Sequence, residues 1–207
     1  ITARRQVGSL AKPWVYAIAL EESDQYNLAT MLDDSPITIQ DKHGNDWTPR
    51  NFDNEFRGYT SLFHSLVHSY NVPVVRVGME LTPAYIRSRL LPAAGEARIP
   101  PWPSILLGAM DFTPLEVARV YGALAAGGIA HKPYAVNAIT THSGDLLYQH
   151  ISEPVNLFSA EAAWLTSYAL EGVVRLGTGR RLAHLGPGLA GKTGSTNDLR
   201  DSWFVSY

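Results

Sequence analysis

Cysteine is absent from all 207 residues, which excludes a disulfide framework, a thiolate nucleophile and a thiolate-ligated zinc site. Charge is sparse as well. Only 17% of residues are Asp, Glu, Lys or Arg, with 17 basic against 19 acidic side chains and a formal net charge of −2. So even a balance argues against a broad polyanion-binding surface, and no nucleic-acid partner is expected. Long hydrophobic runs are lacking too: stretches such as residues 14–20 fall far short of the roughly 18 apolar residues a membrane-spanning helix needs. No internal repeat or low-complexity tract occurs. The chain starts at Ile1 rather than Met and stops at Tyr207 within the apolar run Trp203-Phe204-Val205. It therefore reads as a piece of a longer protein, with any leader or anchor outside these residues.

What is present begins with enough apolar material for a core. With 45% hydrophobic residues, the chain reads most simply as one domain over residues 1–207. Leu10, Trp14, Val15, Ile18 and Ala19 recur at three-and-four spacing and predict a helix starting near Ser9, with Pro13 tolerated close to its start. Residues 33–58 are rich in Pro, Asp, Asn and Gly and read as a long ordered loop, with at most a short strand at Ile37-Thr38-Ile39. Helical spacing returns over residues 60–70, 82–91 and 113–126, the last opened by Thr113-Pro114 and closed by Gly127-Gly128. Residues 134–141 and 146–149 make a predicted hairpin, a long helix runs over 159–176, and strands follow at 188–196 and 202–207. This is the pattern of a mixed α/β fold on an antiparallel sheet.

The stretch GPGLAGKTGS, residues 186–195, admits two incompatible readings. Gly186, Gly191, Lys192 and Thr193 satisfy G-x-x-x-x-G-K-[ST], a phosphate-cradling loop. That loop needs a strand before it and a helix after it, so that free helical N–H groups face the phosphates. Here Arg180-Arg181-Leu182-Ala183-His184-Leu185 makes a poor buried strand, and strand-like Trp203-Phe204-Val205 follows too soon for a helix. The other reading takes Lys192-Thr193-Gly194 as a K-T-G element on a strand with an antiparallel partner. That context fits.

The K-T-G reading requires two companions upstream. The chain holds one S-x-x-K, Ser9-Leu10-Ala11-Lys12, and S-x-N at Ser69-Tyr70-Asn71 and Ser195-Thr196-Asn197. At background usage S-x-x-K arises about once in such a chain, whereas K-T-G arises in only about one chain in twenty. Order and context lift the set: Ser9 to Lys12 opens a helix, Ser69 to Asn71 ends one, and Lys192 lies on a strand. A serine hydroxyl is a weak nucleophile until a base removes its proton, and a lysine three residues on along a helix shares its face. To act as that base Lys12 must be neutral, which calls for burial and a nearby cation such as Lys192. Purely structural readings exist for each residue: Ser9 as a helix cap, Asn71 as a helix end, Lys192 as a solvated strand lysine. His64 and His68 stand four apart, but Ser65 occupies the place of a metalloprotease glutamate, so no metal is expected.

The set resembles the transpeptidase domain of the class A, bifunctional penicillin-binding proteins, and the wording around Ser9 is nearest to the 1b type of Gram-negative bacteria. The resemblance is carried by Arg5-Gln6-Val7-Gly8-Ser9-Leu10-Ala11-Lys12-Pro13, Asp34-Ser35-Pro36-Ile37, Pro49-Arg50-Asn51-Phe52 and Ser69-Tyr70-Asn71-Val72-Pro73. Further on it includes Leu107-Gly108, Thr113-Pro114-Leu115-Glu116-Val117-Ala118, Gly177-Thr178-Gly179, and the run from Gly191 through Asn197-Asp198. It implies a serine β-lactamase/D,D-peptidase-like fold with a helical subdomain, incomplete here at both ends. By the same resemblance Ser9 is the nucleophile, Lys12 its base, Ser69 a proton relay, Asn71 a holder of the substrate amide, and Lys192 the cation beside them. Thr193, Gly194 and Ser195 would receive a substrate carboxylate, and N–H groups at Ser9 and Ser195 would form an oxyanion hole. The Gly177-Thr178-Gly179-Arg180 turn reads as a helix stop.

The implied substrate is a peptidoglycan stem peptide ending in D-Ala-D-Ala. β-Lactams are implied as mimics that acylate the same serine, and no cofactor is expected. The family also implies a glycosyltransferase domain on the same parent chain and a position on the periplasmic face of the inner membrane, anchored by a segment outside this chain. Ser195 stands where family members often carry threonine, which keeps the hydroxyl. A D,D-carboxypeptidase or β-lactamase on the same fold, or a non-catalytic β-lactam-sensing module, remain as alternatives.

Overall fold

Proline is tolerated in the first turn of a helix because its missing N–H has no partner there, and Pro13 takes that place. In the computed structural model, which describes residues 2–40, 44–196 and 200–207, helix α1 spans Lys12–Leu20 and is buried along its whole length. A helix apolar on all sides belongs at the centre of a core. Helices α2 (Leu62–Val67), α3 (Val72–Leu81) and α4 (Pro83–Ala94) pack against it. Helix α5 (Pro114–Ala125) lies against α4 and against α6 (Ala160–Leu176), which runs along α1. Trp14 of α1 meets Phe112 and Tyr121 at ring-centroid distances of 5.2 and 5.7 Å, and the Tyr121 hydroxyl donates to Leu10 O at 2.9 Å.

Several elements stand where the spacing places them. Thr113 opens α5 through a reciprocal capping box with Glu116, and Ser159 caps α6, which ends at Gly177. The hairpin is present as Ala138–Thr140 paired with Leu146–Gln149. The final ribbon pairs Gly191–Ser195 with Ser202–Ser206, Lys192 opposite Val205. The mixed α/β class holds, with every described strand pairing antiparallel in two-stranded ladders.

Other elements differ. The long loop contains a small ladder, Ile39–Gln40 against Asp46–Trp47, so the expected strand over residues 37–39 overlaps it only at Ile39. Thr60 and Ser61, expected to open a helix, instead belong to the strand Tyr59–Ser61 paired with Met31–Asp33, and α2 begins only after Ser61, whose Oγ accepts from His64 N at 3.2 Å. Helix α3 is not visible in the spacing at all. Its Val72, Val74, Val75 and Val77 are β-branched and intrinsically poor helix formers, and burial of those side chains overrides the preference. Asn71 therefore starts a helix rather than ending one. The second S-x-N match ends at Asn197, which with Asp198 lies outside the described residues.

Ser9 sits on a 3₁₀ turn, Gly8–Ala11, that leads into α1. This turn is wedged between two backbones. A Cβ on Gly8, whose φ is +53°, would lie 2.2 Å from Ser195 O, and one on Gly108 would lie 2.0 Å from Gly8 O. Gly194 is the third member, with Leu10 Cγ 2.8 Å from where its Cβ would be. Bare backbone at these places lets the turn touch the ribbon on one side and the Gly108 loop on the other. Gly8→Ala combines a left-handed backbone with a steric clash and should destabilise the fold by on the order of 3 kcal/mol. Denaturant unfolding checks this; a wild-type midpoint would show that the turn can move away from Ser195.

Candidate active site

A 3₁₀ helix repeats every three residues, so side chains at i and i+3 eclipse. Ser9 lies in the 3₁₀ turn and Lys12 follows it as the first residue of α1, which sets the two on one side more directly than an α-helix does. Lys12 has no exposed surface. Its Nζ meets Ser69 O at 2.5 Å, Ser69 Oγ at 3.1 Å and Asn71 Oδ1 at 2.6 Å. The amine thus faces the S-x-N segment, and Ser9 is not among its hydrogen-bond partners. Lys192 is equally buried and donates to Ser69 Oγ at 2.9 Å and to Thr193 O at 2.9 Å.

One hydroxyl therefore lies between two buried amines. Burial pushes Lys12 well below the usual lysine range, and the charge of Lys192 adds to that fall. Burial also pushes Lys192 down, to about 7. Desolvation is the larger cause of the Lys12 depression and the neighbouring cation the smaller, the two causes expected from the sequence. Lys12 Nζ has three acceptors, the Ser69 carbonyl, the Ser69 hydroxyl oxygen and the Asn71 amide oxygen, and Lys192 donates to the same hydroxyl oxygen. Lys12, Ser69 and Lys192 then form a continuous proton path. Ser69 holds this place with φ at +61°, a left-handed conformation costing a non-glycine residue roughly 1–2 kcal/mol.

Ser9, Ser69, Asn71, Thr193 and Ser195 line one cavity of about 490 Å³. Gly194 is not at its surface; it is buried below, where its role is the close approach to Leu10. Asn71 is anchored on the protein side, Nδ2 donating to Arg50 O at 2.6 Å and Oδ1 accepting from Lys12. That leaves one amide hydrogen for a ligand. Two features escaped the sequence reading. Thr178, expected in a helix stop, reaches the cavity and pairs its Oγ1 with Thr193 Oγ1 at 2.7 Å. The turn does stop α6, but its threonine also extends the hydroxyl row; its one signal was the neighbouring glycines. Asp53, from the long loop, is the carboxylate among the described lining residues. It ion-pairs with Arg57, and that contact holds it below the usual range.

The phosphate-loop reading has no support in this geometry, since Lys192 is a buried strand residue with its amine on Ser69. The His64 and His68 rings stand tilted to one another along α2 and its end, with centroids 5.9 Å apart, and no group of metal-ligating side chains occurs among the described residues.

A serine on a helix-opening turn, two buried lysines and a strand of hydroxyls define the class of penicillin-recognising serine enzymes. Residues 94–207 match the family described as the penicillin binding protein transpeptidase domain, and the chain belongs to that family. It is 44% identical, over 99% of its length, to penicillin-binding protein 1B of Vibrio cholerae, and 38% identical over 98% to penicillin-binding protein 1B of Escherichia coli. It spans about a quarter of each of those relatives, 27% and 25% respectively. Among solved structures, penicillin-binding protein 1A from Haemophilus influenzae superposes with a TM-score of 0.84 at 26% identity, covering 98% of this chain and 36% of that one.

The lysine burial has a measurable consequence. Folding depresses Lys192 from 10.5 to about 7, and Lys12 falls in the same direction. Between those two values the unfolded chain binds more protons than the folded one, so stability rises with pH across the window and is lost as pH falls through 7. Thermal midpoints should therefore climb from pH 7 toward pH 10. Lys192→Met, which removes a buried amine at similar volume, should flatten that climb; an equal climb in the variant would refute the assignment.

Proposed function

We propose that this chain performs the acyl-transfer step of a peptidoglycan D,D-transpeptidase. The observation that carries the reading is the Ser69 hydroxyl held between the Lys12 and Lys192 amines at 3.1 and 2.9 Å, in one cavity with Ser9 and the Thr193–Ser195 hydroxyls. A stem peptide ending in D-Ala-D-Ala lies along the Gly191–Ser195 strand, its terminal carboxylate toward the Thr193, Thr178 and Ser195 hydroxyls and the Lys192 charge. Ser9 Oγ attacks the carbonyl of the penultimate D-Ala, and its proton passes to neutral Lys12. The carbonyl oxygen is held by the N–H groups of Ser9 and Ser195. Lys12 returns the proton through Ser69 to the departing nitrogen, which breaks the peptide bond and releases D-Ala. An amine of a neighbouring stem then attacks the Ser9 ester, gives its proton back along the same path and leaves as the cross-linked product.

Transfer is favoured over hydrolysis by the state of Asp53, the one carboxylate among the described lining residues. Asp53 is tied to Arg57 and its basicity is lowered by that contact, so it is a poor base for activating water. β-Lactams fit the same path, their ring amide standing for the scissile bond. The reading also places the chain, as a part of a longer protein, on the periplasmic face of the inner membrane beside a glycosyltransferase domain. No helix among the described residues is long and apolar enough to cross a membrane.

Incubation with benzylpenicillin followed by intact-mass measurement tests the proposal. A persistent one-drug adduct is expected on the wild type and none on Ser9→Ala. Lys12→Met should slow adduct formation by about a thousandfold, the scale of general-base removal. No adduct on folded wild-type protein would leave a non-catalytic module, and rapid loss of the adduct to water would leave a β-lactamase.

A further inference from the structure

An asparagine at the first position outside a helix ordinarily turns its side-chain oxygen onto the free N–H groups of that helix. Asn71 occupies this position for α3 and does not do so. Its backbone is helical, φ −89° and ψ −45°, and it makes no side-chain capping bond. Its oxygen is committed to Lys12 and its nitrogen to Arg50 O. The free N–H groups are met from 20 residues away in sequence, where Asn51 Oδ1 accepts from Asn71 N at 2.7 Å and from Val72 N at 3.4 Å.

Asn51 does this from a buried site, 3% exposed, and its orientation is not free. Its Nδ2 donates to both Asp34 oxygens, at 2.8 and 2.9 Å, and to Glu55 O at 2.8 Å. A carboxylate only accepts, so Asp34 takes the NH₂ end of the amide and thereby aims the oxygen at α3. Asp34 has no exposed surface; Arg57 serves it through a backbone N–H at 3.1 Å and a guanidinium nitrogen at 4.0 Å. Arg50 and Asn51 are adjacent, so the same two residues of the loop cap α3 and fix the Asn71 amide.

We propose that Asn51, oriented by Asp34, is a positioning residue for acylation: by capping α3 from outside, it releases Asn71 to hold the Lys12 amine beside Ser69. The consequence for acylation rests on the transpeptidase reading; the geometry does not. Without Asn51 the Asn71 side chain turns back to its own helix, Lys12 loses its 2.6 Å acceptor, and the amine drifts from the proton path. The charged groups around Lys12 are Lys192 across Ser69 and, beyond the two amides, Asp34 with Arg57 behind it.

Two readouts separate this inference from the function beneath it. In protein labelled with ¹³C and ¹⁵N on its lysines, Asn51→Ala should lower the titration midpoint of Lys12, because its ammonium form loses an acceptor, and should leave the exposed Lys132 in place. The rate of acylation by a fluorescent penicillin should fall at least tenfold. Asn51→Asp combined with Asp34→Asn keeps a complementary pair while moving the negative charge toward α3. It should retain the fold and raise the Lys12 midpoint, with the pH profile of acylation moving the same way. An unchanged Lys12 midpoint in both folded variants overturns the proposal. If the wild type is not acylated at all, the transpeptidase reading fails, and the lysine titration still decides whether Asn51 positions Lys12. If Asn51→Ala does not fold, the exchanged pair decides alone.

Discussion

Two lysines without exposed surface converge on the hydroxyl of Ser69, and much of the surrounding structure follows from holding them there. Removing an ammonium from water costs several kcal/mol even after the protein relaxes, and two facing one oxygen add mutual repulsion. Neutralising one of them is the inexpensive solution, and the same step turns it into a base. The remaining requirement is an acceptor for every N–H, and Ser69 O, Asn71 Oδ1 and Thr193 O supply them. Ser69 accepts a left-handed backbone to do so, the kind of local strain that clusters where groups must be aimed.

The desolvation originates in the helix beneath. Because α1 is buried on every side, its first residue starts in the dry interior, and a lysine there is desolvated by position alone. Lys192 reaches the same interior from the ribbon. The two elements approach closely only because Gly8, Gly108 and Gly194 present bare backbone at the junction. Packing and reactivity are thus joined: the contacts that make the 3₁₀ turn rigid are those that bring Ser9 beside Ser195.

The long polar loop contributes to the site from its buried end. A segment rich in Asp, Asn and Pro is costly to order unless its polar groups are satisfied internally. Asp34 and Asn51 are the residues that accomplish this, and they bring the loop to rest on the start of α3. Glu116 performs a comparable double service elsewhere, closing the α5 capping box while pairing with Arg4 at 2.9 Å. In both cases one carboxylate joins a helix start to a distant segment.

Where chemistry and short-range geometry suffice, the residues alone were legible. Ser9, Lys12, Ser69, Asn71 and Lys192 stood out because nucleophile, base and relay must be residue types that few others can replace, and the strand around Lys192 excluded a phosphate loop. Thr113 and Ser159 announced their helices because a cap acts within one turn. What failed was whatever depends on burial. Helix α3 is made of valines that prefer strands until packing overrides them, and Thr60 and Ser61 left the helical pattern because Met31–Asp33 lay alongside to pair with them. Thr178 looked like punctuation until the fold set its hydroxyl 2.7 Å from that of Thr193. Above all, the sequence by itself determined which side chains are candidates for the proposed chemistry. Only the tertiary structure decided that both lysines are dry, and so able to be neutral, because desolvation belongs to the surroundings of a side chain and not to its neighbours along the chain.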